Sequence, residues 1–167
     1  VWGPCDSTTT IQTGMWAEAA LLNPRLNNLY VTHAEGFVSV LDCMVDEVVQ
    51  RIALHPNPGP MCIDSTQALL FVGHGGGEVS VVDCVSGVVI DTVFTSAPVA
   101  DLCYNAASDR VYCIHQYDGV TVLDANTRDV CATLQLPGRT FAGSVACDMD
   151  ANRVYIASNY CGMVVIQ

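Results

Sequence analysis

Three histidines, His33, His74 and His115, stand 41 residues apart, and Ser158 takes the equivalent place 43 residues further on. Imidazoles repeated in register are a candidate metal set, or a surface that titrates near neutral pH. A metal demands more than repetition, because its ligands must converge to ~2.0–2.1 Å from one ion. Equivalent positions in successive repeats are spread apart unless their loops fold inward. The expected role is therefore plainer: each side chain bonds the backbone of an adjacent loop, with metal binding by the three histidines as the sharper alternative. Asp42, Asp83 and Asp124 also recur every 41 residues. They invite a carboxylate ring, but aspartate before a tight turn accepts that turn's own N–H groups, and this is the role expected of them.

Other chemistry is thinner. Gly73-His74-Gly75-Gly76-Gly77 has the look of a phosphate loop, yet no lysine follows and no helix opens after it, so it reads as a strand connection. Neither a G-x-S-x-G elbow nor an H-E-x-x-H pair is present. No cofactor is implied. Nine cysteines occur without a single C-x-x-C, which removes zinc-ribbon, thioredoxin and c-haem readings. Several read as small apolar residues of buried strands, Cys43 with Cys84 and Cys62 with Cys103 recurring at the repeat interval. Cys5, Cys131 and Cys161, in a terminal strand, an outer strand and a loop, are the expected disulfide formers, Cys5 anchoring the N-terminal segment. The odd count leaves one thiol free or paired between molecules.

The elements that position these residues follow from the repeat. Val40-Leu41-Asp42-Cys43, Val81-Val82-Asp83-Cys84 and Val122-Leu123-Asp124-Ala125 are nearly the same word at intervals of 41. Upstream of each lies an aromatic-centred strand, Leu29-Tyr30-Val31, Leu70-Phe71-Val72 and Val111-Tyr112-Cys113, with a fourth copy in Val154-Tyr155-Ile156. Each copy predicts short β-strands: a small or apolar first strand (61–63, 102–104, 145–147), a turn opened by Asn23, Asp64, Asn105 or Asp148, the aromatic second strand, a glycine-bearing loop, an alternating third strand (37–41 and its equivalents), and a fourth (47–54, 88–94, 129–136). Four antiparallel strands in about 41 residues is a propeller blade. The expected architecture is a single all-β domain, a four-bladed β-propeller with blades over 17–54, 59–94, 99–136 and 144–167, the last completed by residues 5–13. That segment falls in fourth-strand register, so it closes the ring within the chain or completes a neighbouring molecule's last blade.

Composition bounds the function. The 167 residues are 51% hydrophobic and 14% charged, with 17 acids against 6 bases, a net charge of −11. Such a chain buries a core and is not disordered. Its negative field argues against nucleic acid and anionic lipid, and no apolar run approaches the ~20 residues of a spanning helix. A first residue other than methionine reads as a processed chain or a fragment.

The motifs Tyr30-Val31-Thr32-His33, Phe71-Val72-Gly73-His74, Tyr112-Cys113-Ile114-His115 and Tyr155-Ile156-Ala157-Ser158-Asn159, with the valine-x-valine-x-aspartate strands at 38–42, 79–83 and 120–124, resemble the YVTN-type β-propeller repeat family. The resemblance implies a propeller fold and, as in many members, a secreted or cell-surface binding or scaffold module. It departs from the family in having fewer blades and in ending the motif on histidine in three copies. The function expected is a non-enzymatic structural or interaction module of an extracellular assembly, with protein partners, among them a second copy by strand addition. Its working face carries His33, His74, His115, Tyr117, Ser158 and Tyr160, the tyrosines as contact anchors. The competing expectations are a metal-dependent hydrolase or lactonase on a propeller scaffold, and a segment of a larger ligand-binding propeller.

Overall fold

A computed structural model describes residues 9–95, 97–117, 119–137, 142–159 and 162–167. The described residues form fifteen strands and no helix, so no helix is long and apolar enough to cross a membrane. The first sheet is β1 (Ala17–Asn23), β2 (Asn28–His33), β3 (Phe37–Asp42) and β4 (Glu47–Ala53). The second is β5 (Pro58–Asp64), β6 (Leu69–His74), β7 (Glu78–Asp83) and β8 (Val88–Phe94). The third is β9 (Val99–Asn105), β10 (Arg110–His115), β11 (Gly119–Asp124) and β12 (Val130–Gln135), and the fourth is β13 (Ala142–Asp148), β14 (Arg153–Ser158) and β15 (Gly162–Ile166). Every sheet is an antiparallel meander in chain order.

The turns explain why the register repeats. Asn23, Asp64, Asn105 and Asp148 each turn a side-chain oxygen back onto backbone N–H groups two or three residues ahead, at 2.8 to 3.3 Å. Asn27, Ala68, Asp109 and Asn152 then take left-handed φ values of 51 to 56°, which reverse the chain at the same place in every sheet. Asp42, Asp83 and Asp124 cap the turns after the third strands, each Oδ1 accepting from the backbone N–H two residues on at 2.7 to 2.9 Å.

Alternation along the third strands sorts side chains between two faces. Val38 and Val40 pack with Leu70, Val72 and Val82 of the second sheet, and Val79 and Val81 with Val111, Cys113 and Leu123 of the third. Val120 and Val122 pack with Val154 and Ile156 of the fourth. Each sheet thus closes its core only against the next. Fully burying such a side chain contributes roughly 1.5–3 kcal/mol. One approach is close enough to exclude a side chain: a Cβ on Gly73 would lie 2.5 Å from Val99 Cγ1.

Two expectations need correction. The first strands stand side by side in the order β1, β5, β9, β13, but no comparable packing joins β13 back to β1, so the described sheets form an open row and not a closed ring. Among the described residues the N-terminal segment does not complete the fourth sheet: residues 9–13 form no strand, and residues 5–8 lie outside the described residues. Instead the Thr13 carbonyl accepts from Ser39 Oγ at 2.6 Å and Arg51 Nη2 at 3.4 Å, holding the segment on the first sheet. The two donors are paired neighbours on β3 and β4, at the opposite end of the row from the fourth sheet.

Candidate functional site

The repeated histidines close the second strands, and all three are buried. Burial obliges a ring nitrogen to find a partner. The Nδ1 atoms of His33, His74 and His115 meet the carbonyl oxygens of Met15, Pro56 and Pro98 at 2.9, 3.4 and 3.2 Å, each in the segment that leads into the same sheet's first strand. On the other side His74 Nε2 lies 2.9 Å from Ser80 Oγ and His115 Nε2 lies 2.7 Å from Thr121 Oγ1. Ser39 holds the same place in the first sheet, but its hydroxyl serves Thr13, and among the described residues His33 Nε2 is buried without a hydrogen-bond partner while the ring stacks on Phe37 at 4.5 Å.

Each imidazole therefore ties a second strand to an entering loop and, in two sheets, to the third strand. Burial lowers the pKa of His74 and His115, because the charged ring loses hydration; their carbonyl partners push back, as does Glu78 at His74. Neutral rings bridging an acceptor and a hydroxyl are positioning elements. The three histidines sit in three different sheets, and among the described residues no group of three or more His, Cys, Asp or Glu side chains gathers as a metal site.

Of the other expected contact residues, Tyr117 is largely exposed in the loop after β10, Ser158 ends β14 half-buried, and Tyr160 lies outside the described residues. The same loop end carries a groove between the first two sheets, lined by Glu18, Ala34, Asn57, Gly59 and Gly75. The hydroxyl series Ser39, Ser80 and Thr121 escaped the sequence reading. Its signal was available, since these residues also stand 41 apart and six residues after each histidine.

The disulfide expectation is corrected as well. Cys131 is an exposed free thiol, and Cys5 and Cys161 lie outside the described residues. The bond found joins Cys103 on β9 to Cys147 on β13, with Cα atoms 6.4 Å apart. First strands of neighbouring sheets stand face to face, and that brings together two cysteines 44 residues apart which read as core residues in sequence.

The fourth sheet ends the row with an uncovered face. Met163 and Val165 are 59% and 43% exposed, whereas the equivalent Val38, Val79 and Val120, and Val40, Val81 and Val122, are at most 7% exposed. Among the described residues β15 also lacks a strand on its outer edge.

No family model matches the chain, and no curated protein matches it. Among solved structures it is similar to a chain of Kuenenia stuttgartiensis hydrazine synthase, with a TM-score of 0.81 at 14% sequence identity. The match covers all of this chain and 49% of that one, so this chain spans about half its length. At that identity the likeness is one of fold alone.

Proposed function

We propose that the chain is a non-enzymatic interaction module: four consecutive blades of a YVTN-type propeller that associate with a second copy of the chain through the fourth sheet, in an extracellular setting. The observation that carries this is Met163 and Val165, solvent-exposed at positions that the other three sheets bury. A face built to the same pattern as three covered ones is a surface that a further sheet can cover. The outer edge of β15 supplies unpaired backbone groups to the same contact.

The strand that fits this edge is Thr9 to Thr13. It is rich in β-branched residues, stands in fourth-strand register and forms no strand in its own chain. Thr13 is held on the first sheet, at the opposite end of the row from β15, which favours donation to a second molecule over closure within one. Such head-to-tail strand addition builds rings or filaments. The Cys103–Cys147 bond fits an oxidising compartment.

Sedimentation equilibrium over a wide concentration range tests the reading. Self-association is expected, abolished by Met163→Asp with Val165→Asp and, independently, by Ile11→Pro, which removes an N–H from the added strand. All three sites lie outside the packed cores, so the variants keep their β-sheet circular dichroism. A wild-type chain that stays monomeric at its highest soluble concentration overturns it.

A further inference from the structure

We infer that Asp64 and Asp109, on either side of the Tyr104 hydroxyl, form a cation site of the calcium class, between the second and third sheets at the face opposite the histidines. In the third sheet Asn105 uses both ends of its amide: Oδ1 accepts from Ala107 N at 3.0 Å, and Nδ2 donates to Asn152 Oδ1 of the fourth sheet at 3.0 Å. One sheet earlier the equivalent pair is Asp64 and Asp109, so a carboxylate stands where an amide would donate to a second carboxylate.

Asp64 is fully buried. Its Oδ1 accepts from Thr66 N at 2.8 Å and Gln67 N at 3.2 Å, while its Oδ2 is buried and has no hydrogen-bond donor among the described residues. The Tyr104 hydroxyl lies between the two acids. It donates its single proton to Asp109 Oδ1 at 2.8 Å. Asp109 Oδ2 is met by Asn126 Nδ2, and Asn126 Oδ1 accepts from Gln67 Nε2 at 2.5 Å. Arg25, which is bonded to the same turn, uses Nη1 on the Ser65 and Thr66 carbonyls and leaves the carboxylates alone.

The one hydroxyl proton between the two acids goes to Asp109, and Asp64 Oδ2 is left buried with nothing to accept. A divalent cation satisfies that oxygen, and carboxylate and amide oxygens are the hard donors that calcium takes in irregular geometry. Gln67 and Asn126, both exposed, mark the entry.

Terbium, a calcium mimic excited through tyrosine, tests this on the whole chain. One equivalent is expected to give sensitised emission that calcium displaces, and calcium is expected to raise the melting temperature. Asp64→Asn restores the amide found at Asn105, so it folds; it should lose the emission and the calcium-induced shift by about ten-fold or more in affinity. Tyr104→Phe should fold and bind terbium while losing most of the sensitised emission. No calcium-dependent shift in the wild type, or an equal shift in Asp64→Asn, overturns the inference. A melting temperature that rises on acidification and ignores calcium also overturns it, by assigning the missing charge to a proton.

Discussion

His115 Nε2 and Thr121 Oγ1 lie 2.7 Å apart, joining the end of β10 to the middle of β11, and His74 and Ser80 repeat the pair one sheet earlier at 2.9 Å. The geometry makes the hydroxyl the partner of a buried ring and not an incidental neighbour.

Thr121→Val keeps the shape and removes the oxygen, leaving His115 Nε2 buried without a partner. The expected cost is about 1–3 kcal/mol in urea unfolding. Ser39→Ala is the contrast, since His33 Nε2 already lacks a partner and only the Thr13 contact is lost; it should cost less. Equal losses in the two variants would remove the distinction.

The same rings set a pH dependence. His74 and His115 are held below the ordinary value of 6.5, first by burial, so the unfolded chain takes up protons that the folded chain refuses. Stability is full above about pH 6.5 and declines as pH falls from there towards the depressed folded values. Asp83 and Asp124 are lowered below 3.8, first by backbone N–H bonds, so their contribution is present above that value and is lost on further acidification. Urea midpoints measured across this range should show two declines. His74→Asn with His115→Asn should flatten the upper one and spare the lower; an unchanged upper slope would assign it elsewhere.

Thiol chemistry reports the sheet packing directly. In the native protein iodoacetamide should label Cys131, which is exposed, and spare Cys62, Cys84 and Cys113, which are buried. Burial also pushes the Cys113 thiol up to about 12, far from the reactive thiolate. Cys103 and Cys147 should label only after reduction, and their joint replacement by serine should cost about 2–4 kcal/mol. Peptide mass spectrometry reads all of these, and alkylation of Cys103 without reductant would contradict the bond.

Much of the fold was legible in the chain because a repeat compares the sequence with itself. The second strands at Tyr30, Phe71, Tyr112 and Tyr155 fall where their aromatic words predicted, and the turns capped by Asp42, Asp83 and Asp124 are the ones the aspartates announced. The loop-bonding role expected of His33, His74 and His115 is what their Nδ1 contacts show. The placing of Asp64 and Asp109 about one Tyr104 hydroxyl was not legible, since it crosses between sheets and each acid looks like an ordinary turn former in its own repeat.

Local chemistry sufficed for strands, turns and their period, because alternation and Asx turns act within a few residues and recur identically. Three matters waited for the third dimension: the open row, the Cys103–Cys147 bond, and the hold of Ser39 and Arg51 on Thr13. The first two depend on how far one sheet is rotated and shifted against the next, and the third on where the N-terminal segment lies on the first sheet. Cys103 and Cys147 meet across that packing from 44 residues apart, and no single repeat contains both partners.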